Sequence, residues 1–194
     1  ACIEPDFDDR DWLAMTVPGH WAEHPSLARR RAVLHRTTFD LPDTERDERT
    51  RHWLLLEGIW TSGDVWLNGH YLGPTDRWFV AHEFEITDAL DPGDRQVLVI
   101  EAMAPAPTIE GPTRSLAGIH EDTGIVGDAN PGGIWRPVRV VSTGPAHMSK
   151  QRVVCSVAGP AEAILHFRCH VHSDESRPAT IVTTIRPPGG APPI

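Results

Sequence analysis

Hydrophobic residues along this chain recur in short alternating or contiguous runs and never hold helical spacing for three turns. That periodicity predicts strands and no long helix. Residues Ala32 to Leu41 place Val33, His35, Thr37 and Phe39 on one side, the two-residue repeat of a strand. Trp53 to Glu57 and Val97 to Ala102 are nearly continuous in apolar character, which suits strands central in a sandwich. Trp12 to Val17, Ile134 to Val141, Arg152 to Val157, Glu162 to His172 and Ala179 to Ile185 are further strand-like runs. In the run to His172, Leu165, Phe167, Cys169 and Val171 face one way, and His166, Arg168, His170 and His172 the other.

Turn chemistry joins these runs. Asn68-Gly69, between Val65-Trp66-Leu67 and His70-Tyr71-Leu72, accepts the positive φ of a type I′ hairpin. Asp91-Pro92-Gly93-Asp94 is a second turn, and Thr87 to Leu90 before it suits a single helical turn. Ala104 to Gly133 lacks any period and is rich in Pro, Gly, Asp and Thr, the mark of a long loop that is either functional or mobile. A break at Ser142-Thr143-Gly144-Pro145 divides the chain into residues 1–144 and 145–194. The second part offers three expected strands before the Pro/Gly-rich stretch 187–193. Three strands enclose little apolar surface, so it reads as a truncated β-domain.

Composition narrows the class. Hydrophobic residues at 40% and charged residues at 23% describe an ordinary globular chain. Eighteen prolines and sixteen glycines suit many short strands joined by sharp turns. A net charge of -9 opposes binding to nucleic acid or anionic membrane. The longest apolar runs, Trp53 to Leu56 and Val97 to Ile100, are strand-sized and too short to span a bilayer. Three cysteines without CxxC spacing point to reduced thiols and a cytoplasmic setting, with Cys155 and Cys169 expected as a free, inward-facing pair.

Candidate chemistry is sparse. Glycoside hydrolysis needs two carboxylates about 5–5.5 Å apart for retention or about 6.5–9.5 Å for inversion, and no acidic pair here sits in a recognisable acid/base motif. There is no Gly-x-Ser-x-Gly elbow, and the glycines from Gly127 to Gly133 precede a strand rather than a helix. His166, His170 and His172 share a strand face with Arg168 among them, which reads as a solvated face rather than a metal site. No cofactor or metal is expected. Tryptophan is the chief hint, since its flat face stacks on a pyranose at small entropic cost. Trp53, Trp66 and Trp135 lie in expected strands and read as core. Trp21, Trp60 and Trp78 flank turns, where ligand contact and packing are both open.

Three stretches together resemble the amino-terminal sugar-binding domain of family 2 glycoside hydrolases, the β-galactosidases, β-mannosidases and β-glucuronidases. They are Val17-Pro18-Gly19-His20-Trp21 with Arg36-Thr37-Thr38-Phe39; Leu56-Glu57-Gly58-Ile59 through Asp64-Val65-Trp66-Leu67-Asn68-Gly69 to Phe84-Glu85-Ile86-Thr87; and Gly132-Gly133-Ile134-Trp135-Arg136-Pro137-Val138. Their order and spacing span residues 10–142. The resemblance implies an all-β chain: a galactose-binding-like jelly-roll β-sandwich over 1–144, then the first strands of an immunoglobulin-like β-sandwich over 145–194. In the family a (β/α)₈ barrel follows and holds both catalytic glutamates, so no catalytic residue maps onto this sequence.

By the same analogy, the loop after Val17-Pro18-Gly19 and the loop before Gly132-Gly133 reach the rim of the barrel's sugar pocket. That nominates Trp21, His24, Asp122, Asp128 and Asn130, with Trp60 and Trp78 as secondary aromatic candidates. Asp128 and Asn130 suit sugar hydroxyls as partners and equally suit turn-making. The expected function is that of a non-catalytic domain of a β-glycosidase. Its partner is a carbohydrate reached through the parent's barrel, and the parent is expected as a homo-oligomer. The alternatives are a free-standing carbohydrate-binding module or a structural scaffold.

Overall fold

The computed structural model describes residues 1–42, 47–77, 79–104, 132–160, 162–173, 176 and 178–185. Among the described residues, regular structure consists of nine strands and two single turns of 3-10 helix, Trp21–Glu23 and Thr87–Ala89. The strands are β1 Ala32–Asp40, β2 Arg51–Leu56, β3 Ser62–Leu67, β4 His70–Thr75, β5 His82–Glu85, β6 Arg95–Met103, β7 Val138–Thr143, β8 Ala146–Ala158 and β9 Ala163–Ser173. The chain divides into two compact units, Ala1–Gly144 and Pro145–Ile194.

The first unit is an open β-sandwich. One antiparallel sheet runs β1-β6-β3-β4 and the other β5-β2-β7. Alternation sends Leu54 and Leu56 of β2, Val65 and Leu67 of β3, and Leu98, Ile100 and Ala102 of β6 into one core, each almost fully buried. Burying such side chains contributes about 1.5–3 kcal/mol apiece, which is why the register is fixed so firmly. Strand β6 is apolar on both faces because the residues between, Val97 and Val99, are buried too. Beside Val99 on β1 stands Arg36, whose side chain is only 3% exposed. Its guanidinium donates to the Asp9 carboxylate at 2.9 Å and to the carbonyls of Cys2, Pro5 and Phe7 at 3.3, 3.0 and 3.5 Å. One buried cation thus holds the amino-terminal arm to the sheet. Its charge is tolerable only because each donor it buries is matched.

The β3–β4 turn is a second buried polar knot. Asn68 and Gly69 have φ of 51° and 82°, as the type I′ turn demands. The Asn68 amide nitrogen donates to the Ala89 carbonyl at 2.9 Å and to Gln96 Oε1 at 2.7 Å, while Asn68 Oδ1 accepts the Val97 N–H at 2.8 Å. Gln96, also buried, receives the Asp91 N–H at 2.9 Å and donates to the Gly93 carbonyl at 2.5 Å. Two side chains therefore tie the hairpin to the 91–94 turn.

Several expectations need correction. Trp12 to Val17 forms no strand: a turn bond from the Trp12 N–H to the Asp9 carbonyl (2.9 Å) bends the segment, and Trp12 packs edge-on against Phe7. The strand expected from Ile134 begins only at Val138. Pro137 has no N–H for a ladder, and residues 132–136 bond to loops instead. Trp66 is half-buried on the outward face against Tyr71, not in the core.

In the second unit, β8 and β9 form an antiparallel hairpin with bulges at Ser149/Arg152 and Cys155/Val157. Its residues Met148, Val153, Leu165, Phe167 and Val171 are exposed. Cys155 is exposed as well, its Sγ donating to the Val157 carbonyl, so it is free but not buried as expected. Ala179 to Ile185 is not a strand, because none of the described residues pairs with it and a strand is defined by its ladder. His172 and His166 engage Ser149 and Ser156 at 2.9 and 2.8 Å.

Two expected outcomes follow from this architecture. Asn68→Ala strands the Ala89 carbonyl and Val97 N–H and leaves a left-handed residue without the side-chain hydrogen bonds that let asparagine adopt it, so chemical denaturation should show a loss of about 2–4 kcal/mol. Asn68→Gly should recover only the backbone share, about 1 kcal/mol. Burial holds the pKa of His35 below its ordinary 6.5. The unfolded chain then binds the proton first, so this stability is complete above the unfolded pKa and is lost as pH falls through the folded one. Thermal midpoints between pH 7.5 and 5 should drop more for the native chain than for His35→Leu; equal drops would remove His35 as the cause.

Candidate functional site

At one end of the sandwich three loops are stitched together by backbone hydrogen bonds. The Gly19 N–H donates to the Ile134 carbonyl, the Trp21 N–H to the Gly132 carbonyl, and the Trp60 N–H to the Gly133 carbonyl, all at 2.9 Å. Close approach of this kind needs residues without side chains. A β-carbon on Gly132 falls 1.8 Å from Cζ2 of Trp21, and one on Gly133, where φ is +131°, falls 2.7 Å from the Gly19 carbonyl oxygen. Gly58 is equally constrained, 2.8 Å from Cγ of Arg136. The first and third sequence motifs therefore meet, with the start of the second between them.

Trp21 is fully buried, its indole filling the space over Gly132. Its role is to hold the loop, and neither ring face is open to a sugar. His24 follows the 3-10 turn with its N–H on the Trp21 carbonyl (3.0 Å) and Nδ1 2.9 Å from Ser26 Oγ. Trp60 is half-buried and joins Trp135 through Phe79, with ring centroids 6.4 and 5.7 Å apart. Asp122, Asp128, Asn130 and Trp78 lie outside the described residues.

Sequence reasoning missed Phe79 and Arg136 and placed Trp135 in the core. Phe79 is 72% exposed, and the Arg136 guanidinium stacks on Trp135 at 4.7 Å from the ring centroid. The available signal was the position of Phe79 just after the Asp76-Arg77 break in the strand pattern and of Trp135-Arg136 just after Gly-Gly. Two buried ring nitrogens at this end, His20 Nδ1 and Trp135 Nε1, have no hydrogen-bond partner among the described residues. An exposed phenylalanine beside half-buried tryptophans and a planar cation suit contact with a polyhydroxyl ligand. Among the described residues no three His, Cys, Asp or Glu side chains converge on a metal position.

Residues 22–115 match the family described as glycosyl hydrolase 2 galactose-binding domain-like. The chain carries the galactose-binding-like domain of glycoside hydrolase family 2. It is 26% identical over 122 residues to a beta-galactosidase from Arthrobacter sp. (strain B7), an alignment covering 51% of this chain and 12% of the relative. Among solved structures, a calcium-binding mutant of Bacteroides uniformis beta-glucuronidase 2 superposes with TM-score 0.70 at 20% identity, covering 90% of this chain and 21% of that one. The beta-D-mannosidase of Dictyoglomus thermophilum superposes with TM-score 0.65 at 20% identity, covering 87% and 25%. The chain thus spans a quarter or less of each of these relatives. The all-β, galactose-binding-like architecture of this family 2 domain is shared with them.

The seam gives a direct test. Because Trp21 is enclosed and cannot swing away, Gly132→Ala should lower the stability of the family 2 domain by about 3 kcal/mol, at the top of the overpacking range. Thermal unfolding followed by near-UV circular dichroism reads this, and an unchanged midpoint would mean that the loop relaxes without cost.

Proposed function

We propose that this chain is the non-catalytic, sugar-facing part of a β-glycosidase whose catalytic carboxylates lie in polypeptide beyond these residues. The observation that carries the reading is the joining of the 19–24 and 132–136 loops at one end of a family 2 domain, with an exposed aromatic and cationic patch beside them. Flat rings take the apolar face of a pyranose, and carboxylate or amide groups on the adjoining segment, Asp122, Asp128 and Asn130, take its hydroxyls. The carbohydrate partner is engaged together with the parent's catalytic domain. Residues 145–194 open an immunoglobulin-like sandwich in this reading: the hairpin β8–β9 exposes Leu165, Phe167 and Val171, and two strands do not make a stable unit alone.

The 194-residue chain by itself should show no turnover of aryl β-glycosides; activity that scales with pure chain would overturn the proposal. In the full-length parent, Asp128→Ala should lower kcat/KM by about 10-fold, equivalent to about 1.4 kcal/mol of transition-state binding. An unchanged value would assign that segment to structure. Sub-millimolar sugar binding by the isolated chain, read by tryptophan fluorescence, would favour a free-standing binding module instead.

A further inference from the structure

The four-stranded sheet has an outward face as well as a core face, and at β3 and β4 the outward face carries a pair of aromatic rings. A bulge between Val65 and Trp66 shifts the register so that Trp66 stands directly opposite Tyr71, and bulges re-aim side chains in this way. The ring centroids are 5.7 Å apart and the planes are tilted by 50°. Trp66 is half-buried, whereas Tyr71 is 57% exposed. The Tyr71 hydroxyl donates to Asp64 Oδ1 at 2.6 Å, which steadies a ring that is more than half in water. Pro74, opposite Asp64 and exposed, adds apolar surface beside it.

On its other side Asp64 stands opposite Glu101 of β6, on the same face. Like charges opposite one another in antiparallel strands weaken the pairing that opposite charges would strengthen. Both carboxylates are half-buried, and neither has an ion-pair partner among the described residues. Tyr71 occupies one oxygen of Asp64, and no other described donor reaches either carboxylate. Arg36, two strands away on the same face, is spent on the amino-terminal arm. The sheet thus carries an arrangement that costs it stability, and that arrangement sets hydrogen-bond acceptors beside an exposed ring.

We propose that this face is an accessory site for a neutral, β-linked glycan chain, apart from the loop end of the domain. The choice of sugar as ligand class rests on the glycosidase reading above, and the place of the site does not. A pyranose lays its C–H face on Tyr71 with Trp66 closing the corner, and its hydroxyls donate to Asp64 and Glu101. Charge decides the class. Two carboxylates with no free cation beside them repel uronate, sulfated and phosphorylated ligands, whereas hydroxyl donors satisfy them. A purely apolar partner would bury the same carboxylates unmatched. Trp60, in the loop seam, precedes the start of β3, and Trp66 lies near its other end. A glycan held here is therefore tethered to the domain without occupying the seam.

The test is electrophoresis of the 194-residue chain through native gels holding galactomannan, galactan or hydroxyethylcellulose, with polygalacturonate as the charged control. At least one neutral polymer should retard the chain, with a dissociation constant of about 1 mM or weaker in sugar units. Tyr71→Thr keeps a strand-forming residue and should weaken that binding about tenfold. Glu101→Thr removes the like-charge pair, so it should raise the thermal midpoint by about 1–3 °C and yet weaken binding about threefold. No retardation by any neutral polymer overturns the proposal. Retardation that persists in Tyr71→Thr does so too, since it would assign binding to another face. Equal or stronger retardation by polygalacturonate overturns the neutral class. A raised midpoint in Glu101→Thr with unchanged binding also overturns it, because the carboxylates would then be a cost without a ligand. All of these outcomes concern binding, so they stand or fall apart from the turnover measured with Asp128→Ala.

Discussion

The enclosed contact between the Trp21 indole and Gly132 is the constraint on which the loop end of this domain depends. A buried tryptophan offers a large apolar surface at the cost of needing a flat space, and that space exists only because residue 132 has no side chain. Once the ring is seated, the Gly19, Trp21 and Trp60 amides all find carbonyls on the 132–134 segment. Those bonds bring segments 73 to 115 residues apart into register. The same seam places Trp60 and Trp135 on either side of Phe79 and stacks Arg136 on the outer ring. The candidate sugar-facing surface is thus a consequence of packing beneath it.

Elsewhere the sandwich spends few buried polar groups, and each ties distant segments together. Arg36 holds the arm from Cys2 to Asp9 against the outward face, and the Asn68–Gln96 pair locks one hairpin turn to the loop before β6. Both arrangements match donors with acceptors in the low-dielectric interior, where an unmatched group costs more than a bond gains. Surface pairs such as Arg139–Glu57, with the arginine mostly exposed, contribute little by comparison. Matching is incomplete among the described residues at the β1/β7 opening, the side where both sheets end. There an unpaired edge, an apolar floor and an unsatisfied histidine nitrogen coincide.

Much of this was legible from residues alone. Apolar alternation and turn chemistry located β1, β2, β6 and the Asn68–Gly69 hairpin, because strand period and positive-φ turns are local properties of the chain. The order of three short motifs gave the family and with it the all-β architecture. What local pattern could not supply was the partner of each segment. Trp12 to Val17 and Ala179 to Ile185 carry strand-like composition without a ladder. Trp21, open between packing and ligand contact, went to the core, and Trp135, expected in the core, is half-buried beside the patch, because burial depends on what arrives from elsewhere. The pairing of Gly132 with Trp21, the Arg36 clasp and the free edge of β1 likewise exist only after distant segments meet. Sequence determined the period, the turns and the family; tertiary structure decided which faces are covered, since burial and hydrogen-bond satisfaction are properties of pairs rather than of single residues.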